Sequence, residues 1–419
     1  MLRIAISEML CGSNWAWAMY PGLSHGAMRT IEHHGTEQQK QQYLTKLISG
    51  VWTGTMCLTE SHAGSDLGLI RTKAEPNPDG SYSITGEKIF ISAGEHDLSE
   101  NIIHIVLARL PQAPAGTKGI SLFIVPKFNV SDDGQVLDHN KVVCSAIEHK
   151  MGIHGNATCV LNFDGAKGYL IGPENRGLNC MFTFMNTARI GTAVQGLAAS
   201  EISFQGALSY ATERLAMRSL SGPQYPDKNA DPIIVHPAVR AMLMTQKAFS
   251  EGGRALAYFL AQHVDIVESS NDQEQQKHSD ELLAFLTPIA KAFLTESGNE
   301  SAKHGVQVFG GHGFIVEHGM EQIIRDARIS TLYEGTTEIQ SLDLLARKVL
   351  KSEGKLLKNM TDLMDQFIGQ QQSSETLKPY LEKLAELKQQ WLSLTKTIAD
   401  KAKHNPEEIG AASVAVSYT

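Results

Sequence analysis

Few features of this chain point to a specialised class of protein. It has only 5 cysteines in 419 residues. Cys11, Cys57, Cys144, Cys159 and Cys180 are odd in number, widely spaced and set among apolar or small residues. This excludes a disulfide scaffold and suits the reduced thiols of a cytosolic protein. No C-x-x-C and no H-E-x-x-H occurs, so no metal site is expected. No apolar run approaches the ~20 residues of a membrane helix. No run of Lys and Arg stands out, and 45 acidic residues against 37 basic ones give a net charge of −8. Nucleic acid is therefore not expected as a partner.

The rest of the composition is that of an ordinary globular protein, 42% hydrophobic and 20% charged, with 36 Gly and 14 Pro. The length allows two or three domains with sizeable cores. The first residues, M-L-R-I-A-I-S-E-M-L-C-G, carry a basic and an acidic residue within their apolar stretch. They read as a helix already under way rather than a signal peptide. The last, G-A-A-S-V-A-V-S-Y-T, stop inside a small-apolar helical pattern without a cap. Both ends are expected to be cut from a longer protein.

Along the chain the hydrophobic period changes twice. Residues 1–50 read as helices, with Leu2, Ile6, Met9 and Leu10 on one face and Tyr43, Leu44 and Leu47 at helical spacing. Gly22–Gly26 has the letters of a G-x-S-x-G nucleophile elbow, but no strand precedes it, which argues against a hydrolase. His33-His34 reads as a helix end. From Trp52 the period is two: residues 82–92, 102–110, 120–125 and 158–163 are strand-like and separated by turn clusters. Strands without intervening helices predict an antiparallel middle domain, a small β-barrel or sandwich, over residues 51–168. Helical stretches then cover about 180–218, 236–269, 279–309 and 337–351, which predicts a four-helix bundle over 169–352. Residues 353–419 form an additional helical segment, in which Tyr380, Leu384, Leu387, Trp391, Leu394 and Ile398 predict a stripe packed on the bundle. The fold class is α+β multi-domain.

One stretch gathers the rest: T-L-Y-E-G-T at residues 331–336, preceded by R-D-A-R and by Q-V-F-G-G-H-G-F. Alone, Y-E-G reads as a solvated C-cap turn. Glycine also permits the sharp exit that aims a carboxylate into a cavity. Three further motifs accompany it: M-C-L-T-E-S-H-A-G-S-D (56–66), K-I-F-I-S-A-G (88–94), and A-R-I-G-T-A-V-Q-G (188–196) running into Y-A-T-E-R (210–214). In this order, over about residues 1–350, they resemble the FAD-dependent acyl-CoA dehydrogenase family, with its first N-terminal helices absent. G-E-H-D-L and E-H-K-M-G-I-H-G are similar to the larger bacterial branch that includes methylthiopropanoyl-CoA dehydrogenases.

The resemblance implies a helical domain, a β domain and a helical bundle, and an enzyme of fatty-acid β-oxidation in the bacterial cytoplasm. Glu334 would take the α-proton of an acyl-CoA while the β-carbon gives hydride to flavin N5, yielding the trans-2-enoyl-CoA. Its backbone N–H, with a flavin ribityl hydroxyl, would polarise the thioester carbonyl. Burial by substrate would raise its pKa toward working pH. Met56, Leu58, Thr59, Gly64, Ser65, Phe90, Ser92 and Thr336 match FAD contacts, with Phe and Ser where relatives often have Trp and Thr. Arg214, Gln307 and Gly311 match contacts to the FAD of a neighbouring subunit, although Met217 and Arg218 stand where relatives often have Phe and Gly. Ser65, Arg189, Tyr333 and Gly335 match substrate contacts, and Arg189 reads equally as a core ion pair. Glu338 stands where many relatives have Gln and is left out.

The implied partners are the acyl-CoA, an electron-transferring flavoprotein and further copies of the chain as a dimer or tetramer. An acyl-CoA oxidase of the same scaffold is the alternative within enzymes. A DNA-associated flavoprotein of this fold should show a basic surface. G-G-H-G lacks the strand-borne context of a Rossmann turn, so a nicotinamide cofactor is rejected.

Overall fold

The structure is a computed structural model that describes the backbone of residues 1–418 and the side chains of residues 1–414. The terminal Thr419 of the expected C-terminal helical pattern lies outside the described residues. Helix α1 (Leu2–His34) changes direction at Asn14, where φ is −158° and ψ 93°. Asn14 Oδ1 accepts the Trp17 N–H at 3.0 Å and so caps the second part of the helix. The predicted face of Leu2, Ile6 and Met9 is exposed, and the buried positions begin at Cys11 and Trp15. The Gly22–Gly26 letters lie inside α1. Ser24 donates to the Tyr20 carbonyl and accepts the Gly54 N–H, and a Cβ on Gly26 would meet the Phe184 ring at 2.2 Å. These residues serve close packing. Helix α2 (Glu37–Ile48) starts in a capping box made by Thr36 and Gln39.

Nine strands follow: β1 (Trp52–Cys57), β2 (Lys73–Pro76), β3 (Tyr82–Ser92), β4 (Asn101–Ala108), β5 (Ser121–Pro126), β6 (Phe128–Val130), β7 (Val136–His139), β8 (Val142–Ile147) and β9 (Thr158–Ile171). The main sheet runs β1-β4-β5-β9-β3-β2, with β8 also on β9, and β6-β7 form a separate ribbon. The expected antiparallel barrel is not what forms. The sheet stays open, because outer strands β1 and β2 do not pair, and β1 runs parallel to β4. The long connection through β2 and β3 makes a parallel pairing possible, as a tight hairpin would not. Strand β9 bends to serve both leaves: its first part pairs with β3 and β8, and Tyr169–Ile171 pair with β5. Every residue of β4 and β5 is buried, so these strands have protein on both faces. One face packs against α1 and the start of α3, and the other fills the space under β3 and β9.

A buried ion pair ties the loop after β1 to β3. Lys88, fully buried, donates from Nζ to Glu60 Oε1 and to the Leu58 carbonyl, both at 2.9 Å. Glu60 also accepts the Arg71 and Thr72 N–H groups and the Thr72 hydroxyl. Burial alone would push its carboxyl pKa up, but Lys88 and these donors outweigh that and hold it below the usual range. Because the loop is held against β3, Ile89 N–H reaches the Thr59 carbonyl at 2.9 Å.

The helical part is built on α3 (Gly177–Glu213), α4 (Pro237–Ser269) and α5 (Gln273–Phe309). Helices α3 and α5 approach closely where glycines face each other: a Cβ on Gly196 would lie 2.2 Å from the Leu294 carbonyl oxygen, and one on Gly298 2.5 Å from that of Gly196. After 3-10 turns come α6 (Met320–Ala327) and the short fourth bundle member, α7 (Thr337–Leu342), extended by a π-helical turn over Asp343–Leu350. Helices α8 (Lys355–Gln371), α9 (Lys378–Ala402) and α10 (Glu407–Tyr418) complete the chain. Trp391 of α9 packs near Phe285, with ring centroids 5.8 Å apart. The α9 seam keeps half of the expected stripe: Ile398 is buried and Leu384 and Trp391 are half-buried, whereas Tyr380, Leu387 and Leu394 are exposed and Leu381 is buried instead. The stripe rotates because α9 lies on the bundle surface and buries one narrow face. Among the described residues, no helix is long and apolar enough to cross a membrane.

Two stability predictions follow from this packing. Gly196→Ala overpacks the α3–α5 crossing and is expected to cost about 1–3 kcal/mol, read as a lower urea midpoint. Lys88→Met leaves the Glu60 carboxylate buried without its counter-charge and is expected to cost about 3–5 kcal/mol; the double variant with Glu60→Gln should recover a large part of it.

Candidate active site

Glu334 sits in a turn between the 3-10 turn of Arg328–Thr331 and α7. Its φ is 57°, and Gly335 follows at 86°. Glycine meets this conformation freely, and a Cβ at Gly335 would lie 2.6 Å from Gln340 Nε2. For Glu334 the left-handed backbone costs on the order of 1–3 kcal/mol and persists only where neighbours impose it. Three neighbours do so. Buried Gln340 donates to the Glu334 carbonyl at 2.9 Å. Lys291 of α5 donates from Nζ to the Gly335 carbonyl at 2.6 Å. The Thr336 hydroxyl accepts the Ile339 N–H at 3.3 Å and caps α7. The turn is thus not the solvated C-cap that its letters alone allow.

The Glu334 side chain keeps partial contact with solvent, yet protein surrounds it closely enough that burial pushes its pKa up to about 7. The positive charges of Arg189 and Lys291 pull the other way. Burial also lowers the Lys291 pKa to about 8, opposed by Glu334 and Glu296 and reinforced by Arg189. Arg189, on α3, is itself buried and bonds through Nη1 to Asp343 Oδ2 at 3.1 Å, while its Nε has no hydrogen-bond partner. Asp343 opens the π-helical turn, a local widening that recurs at functional sites. The Tyr333 hydroxyl donates to Gln195 of α3, and its ring packs with Trp15 and Met19 of α1. Glu334, Gly335, Thr336, Tyr333 and Arg189 therefore form one group.

A second group lies on the sheet. Met56 of β1 packs in the cluster that includes Met185 and Ala188 of α3, one residue from Arg189. Leu58 is buried, Thr59 half-buried, and Gly64 and Ser65 exposed in the following loop, with Gly64 against the Thr59 side chain. A bulge in β3 between Lys88 and Ile91 gives Phe90 a φ of 58° and leaves it 60% exposed, while Ile91 is buried. Ser92 stands opposite Thr158 of β9, whose hydroxyl is buried without a partner. An exposed aromatic ring on a strained bulge, beside hydroxyls of Thr59, Ser92 and Thr158, can wall and bond a flat heterocycle.

The third group is separate. Arg214 ends α3, and Gln307 and Gly311 lie at the end of α5 and in the 3-10 turn after it; all three are exposed. Tyr210 joins the two helix ends by stacking on Phe309 and by a 2.7 Å bond to His312. At 1.5 Å per residue, Arg214 lies roughly 35 Å along α3 from Arg189.

Lys291, Gln340, Asp343 and the Glu60–Lys88 pair were not singled out by sequence reasoning. A lone lysine inside an apolar run, as in P-I-A-K-A-F-L or K-I-F-I, is the available signal, since lysine is seldom buried unless paired. Two cavities, of about 670 and 470 Å3, lie beside the site: Gln340 lines the first and Arg189 the second.

The chain is similar to known proteins in sequence and fold. Residues 2–51, 55–166 and 175–350 match the family models for the acyl-CoA dehydrogenase N-terminal, middle and C-terminal domains. Over 86% of its length the chain is 45% identical to 3-methylmercaptopropionyl-CoA dehydrogenase of Ruegeria pomeroyi, of which it covers 60%. The chain spans about 60% of the length of such curated relatives. It is 31% identical, over 74% of its length, to an acyl-CoA dehydrogenase of Bacillus subtilis and covers 72% of that protein. Butyryl-CoA dehydrogenase from Megasphaera elsdenii has the same fold over 81% of this chain and 80% of its own, with a TM-score of 0.66 and 27% identity. The chain belongs to the acyl-CoA dehydrogenase family.

Proposed function

We propose that this chain carries the catalytic core of an FAD-dependent acyl-CoA dehydrogenase that converts an acyl-CoA thioester to its trans-2-enoyl-CoA. The observation that carries the proposal is Glu334: a carboxylate held in left-handed backbone, closely surrounded by protein, with its pKa raised to about 7. A carbon acid next to a thioester needs such a base, poised near working pH. The family is one of FAD flavoproteins, and the residues present fit the group: exposed Phe90 stands with the hydroxyl residues Thr59, Ser92 and Thr158, and the Thr158 hydroxyl is buried without a partner. When bound there, FAD supplies the acceptor for the hydride leaving the β-carbon. Glu334 takes the α-proton on its carboxylate, and its backbone N–H is assigned to the thioester oxygen, where charge develops. Arg189 and Lys291 keep the carboxylate ionisable despite its burial.

The likeness to the Ruegeria enzyme favours a short acyl-CoA such as methylthiopropanoyl-CoA as substrate, with Ser65, Arg189, Tyr333 and Gly335 as contacts. We assign residues 1–50, 51–168 and 169–352 to the helical, β and bundle domains, and 353–419 to the added helical segment. Arg214, Gln307 and Gly311 are too distant to serve the Glu334 site of their own chain, which supports a homo-oligomer in which they reach a neighbour's FAD. An electron-transferring flavoprotein is the acceptor this reading assigns, in the bacterial cytoplasm. The named dehydrogenase relatives favour this over an oxidase.

Glu334→Gln is expected to retain FAD but to abolish flavin bleaching by acyl-CoA in anaerobic stopped flow; near-normal bleaching in the variant would remove Glu334 as the base. Because the carboxyl pKa is raised to about 7 and the base must be ionised, the second-order bleaching rate should rise with pH through about 7. A rate flat between pH 6 and 8 would contradict the assignment.

A further inference from the structure

We propose that Lys291 is a positioning residue for Glu334: its ammonium holds the Gly335 carbonyl, fixing the left-handed turn, and its charge keeps the neighbouring carboxylate ionised. The inference rests on the proposed role of Glu334 as base.

The geometry is direct. Lys291 is fully buried, and its Nζ lies 2.6 Å from the Gly335 carbonyl oxygen. Among the described residues it has no ion pair within 4.0 Å, unlike the buried Lys88. A buried ammonium bonded only to a neutral carbonyl is costly, so its position calls for a charge close by. The charged groups that face it are Glu334 on the turn, Glu296 on its own helix, Glu338 on α7 and Arg189 on α3. Glu296 accepts the Thr337 hydroxyl at 2.6 Å, and Arg189 is bonded to Asp343. Glu334 is the largest opposing influence on Lys291, and Lys291 and Arg189 are the two that act on Glu334. Helix α5 thus carries one side chain that acts on the turn twice, by a hydrogen bond to its backbone and by a field at its carboxylate.

The two functions separate in variants. Gln at position 291 keeps a donor for the Gly335 carbonyl and removes the charge; Met removes both; Arg keeps a charge at every working pH. Losing the positive charge favours the protonated acid, so the Glu334 pKa must rise. The sign for Lys291 itself is opposite: it is charged below about 8 and loses its charge, though not its N–H donors, as pH rises through that value. Glu334 is by then already ionised, so the charge of Lys291 matters near and below neutral pH, and the apparent values belong to the coupled pair.

The test uses the FAD-loaded full chain and two readouts. Infrared difference titration, with Glu334→Gln as reference, locates the carboxyl of Glu334 without any substrate. In K291Q its midpoint should move up by about one pH unit, a tenfold change in ionisation constant. Bleaching by acyl-CoA should fall about fivefold near pH 7, as the ionised fraction drops, and recover at higher pH, whereas K291R, which keeps the charge, should show no such shift. K291M should add a loss that is the same at every pH, because the turn is no longer held; should K291M fail to fold, K291Q carries the test. An unmoved infrared midpoint in K291Q overturns the inference, as does a rate loss in K291Q that is equal at all pH values. If the unchanged chain is not bleached by any acyl-CoA, the proposed activity fails, and the infrared midpoint still decides Lys291.

Discussion

A carboxylate that must take up a proton inside protein faces two opposing demands. It has to be shielded enough for its pKa to rise, and it still has to ionise. Glu334 meets both because the pair of cations near it, Arg189 and Lys291, is itself buried and incompletely satisfied. Their charges are poorly screened by water and act strongly at short range. The same cations cannot be buried without partners, so Asp343, the Gly335 carbonyl and Glu334 are drawn together. Much of the local architecture follows from this mutual need: the short α7, the π-helical turn that begins at Asp343, and the Gln340 amide folded back on the turn.

The sheet solves a different problem, which is to present an aromatic ring and several hydroxyls on a rigid wall. An isolated bulge at Phe90 would relax. Here β3 is fixed on one side by the Lys88–Glu60 pair and on the other by pairing to β9, so the strain stays at Phe90. Asn156 links the end of β3 to α1, accepting the Ala93 N–H and donating to the Ala16 carbonyl. The neighbouring loop receives Arg325 and Asp326: Arg325 donates to the Met151 carbonyl, and Asp326 accepts the Ile153 N–H. The Phe90 wall and the Glu334 turn are in this way built on one continuous frame, although about 240 residues of sequence lie between them.

Long periodic segments were legible in the sequence because burial of one face writes itself into spacing. Helices α3, α4 and α5 and strand β3 came through in this way. Barrel closure did not, since whether β1 meets β2 depends on how β9 bends, and no local pattern records that bend. The stripe on α9 misled for a similar reason: Leu387 and Leu394 have the spacing of a seam but face solvent, and the position of a helix on a surface is decided by its neighbours. Among site residues, Glu334 became legible only through motifs far from it in sequence. Lys291 had a weaker signal, one charge in an apolar helix, and its meaning depends on a carbonyl 44 positions away.

The three groups of candidate residues also differ in what kind of environment they need. The Glu334 turn and the Phe90 wall are held by buried charges and bonds within one chain. Arg214, Gln307 and Gly311 are exposed, and no such frame holds them in one direction. A guanidinium on a surface helix end gains little from its own chain but much from a phosphate brought to it, where both of its donors engage at once. Their exposure fits the proposed role of completing a site on another copy.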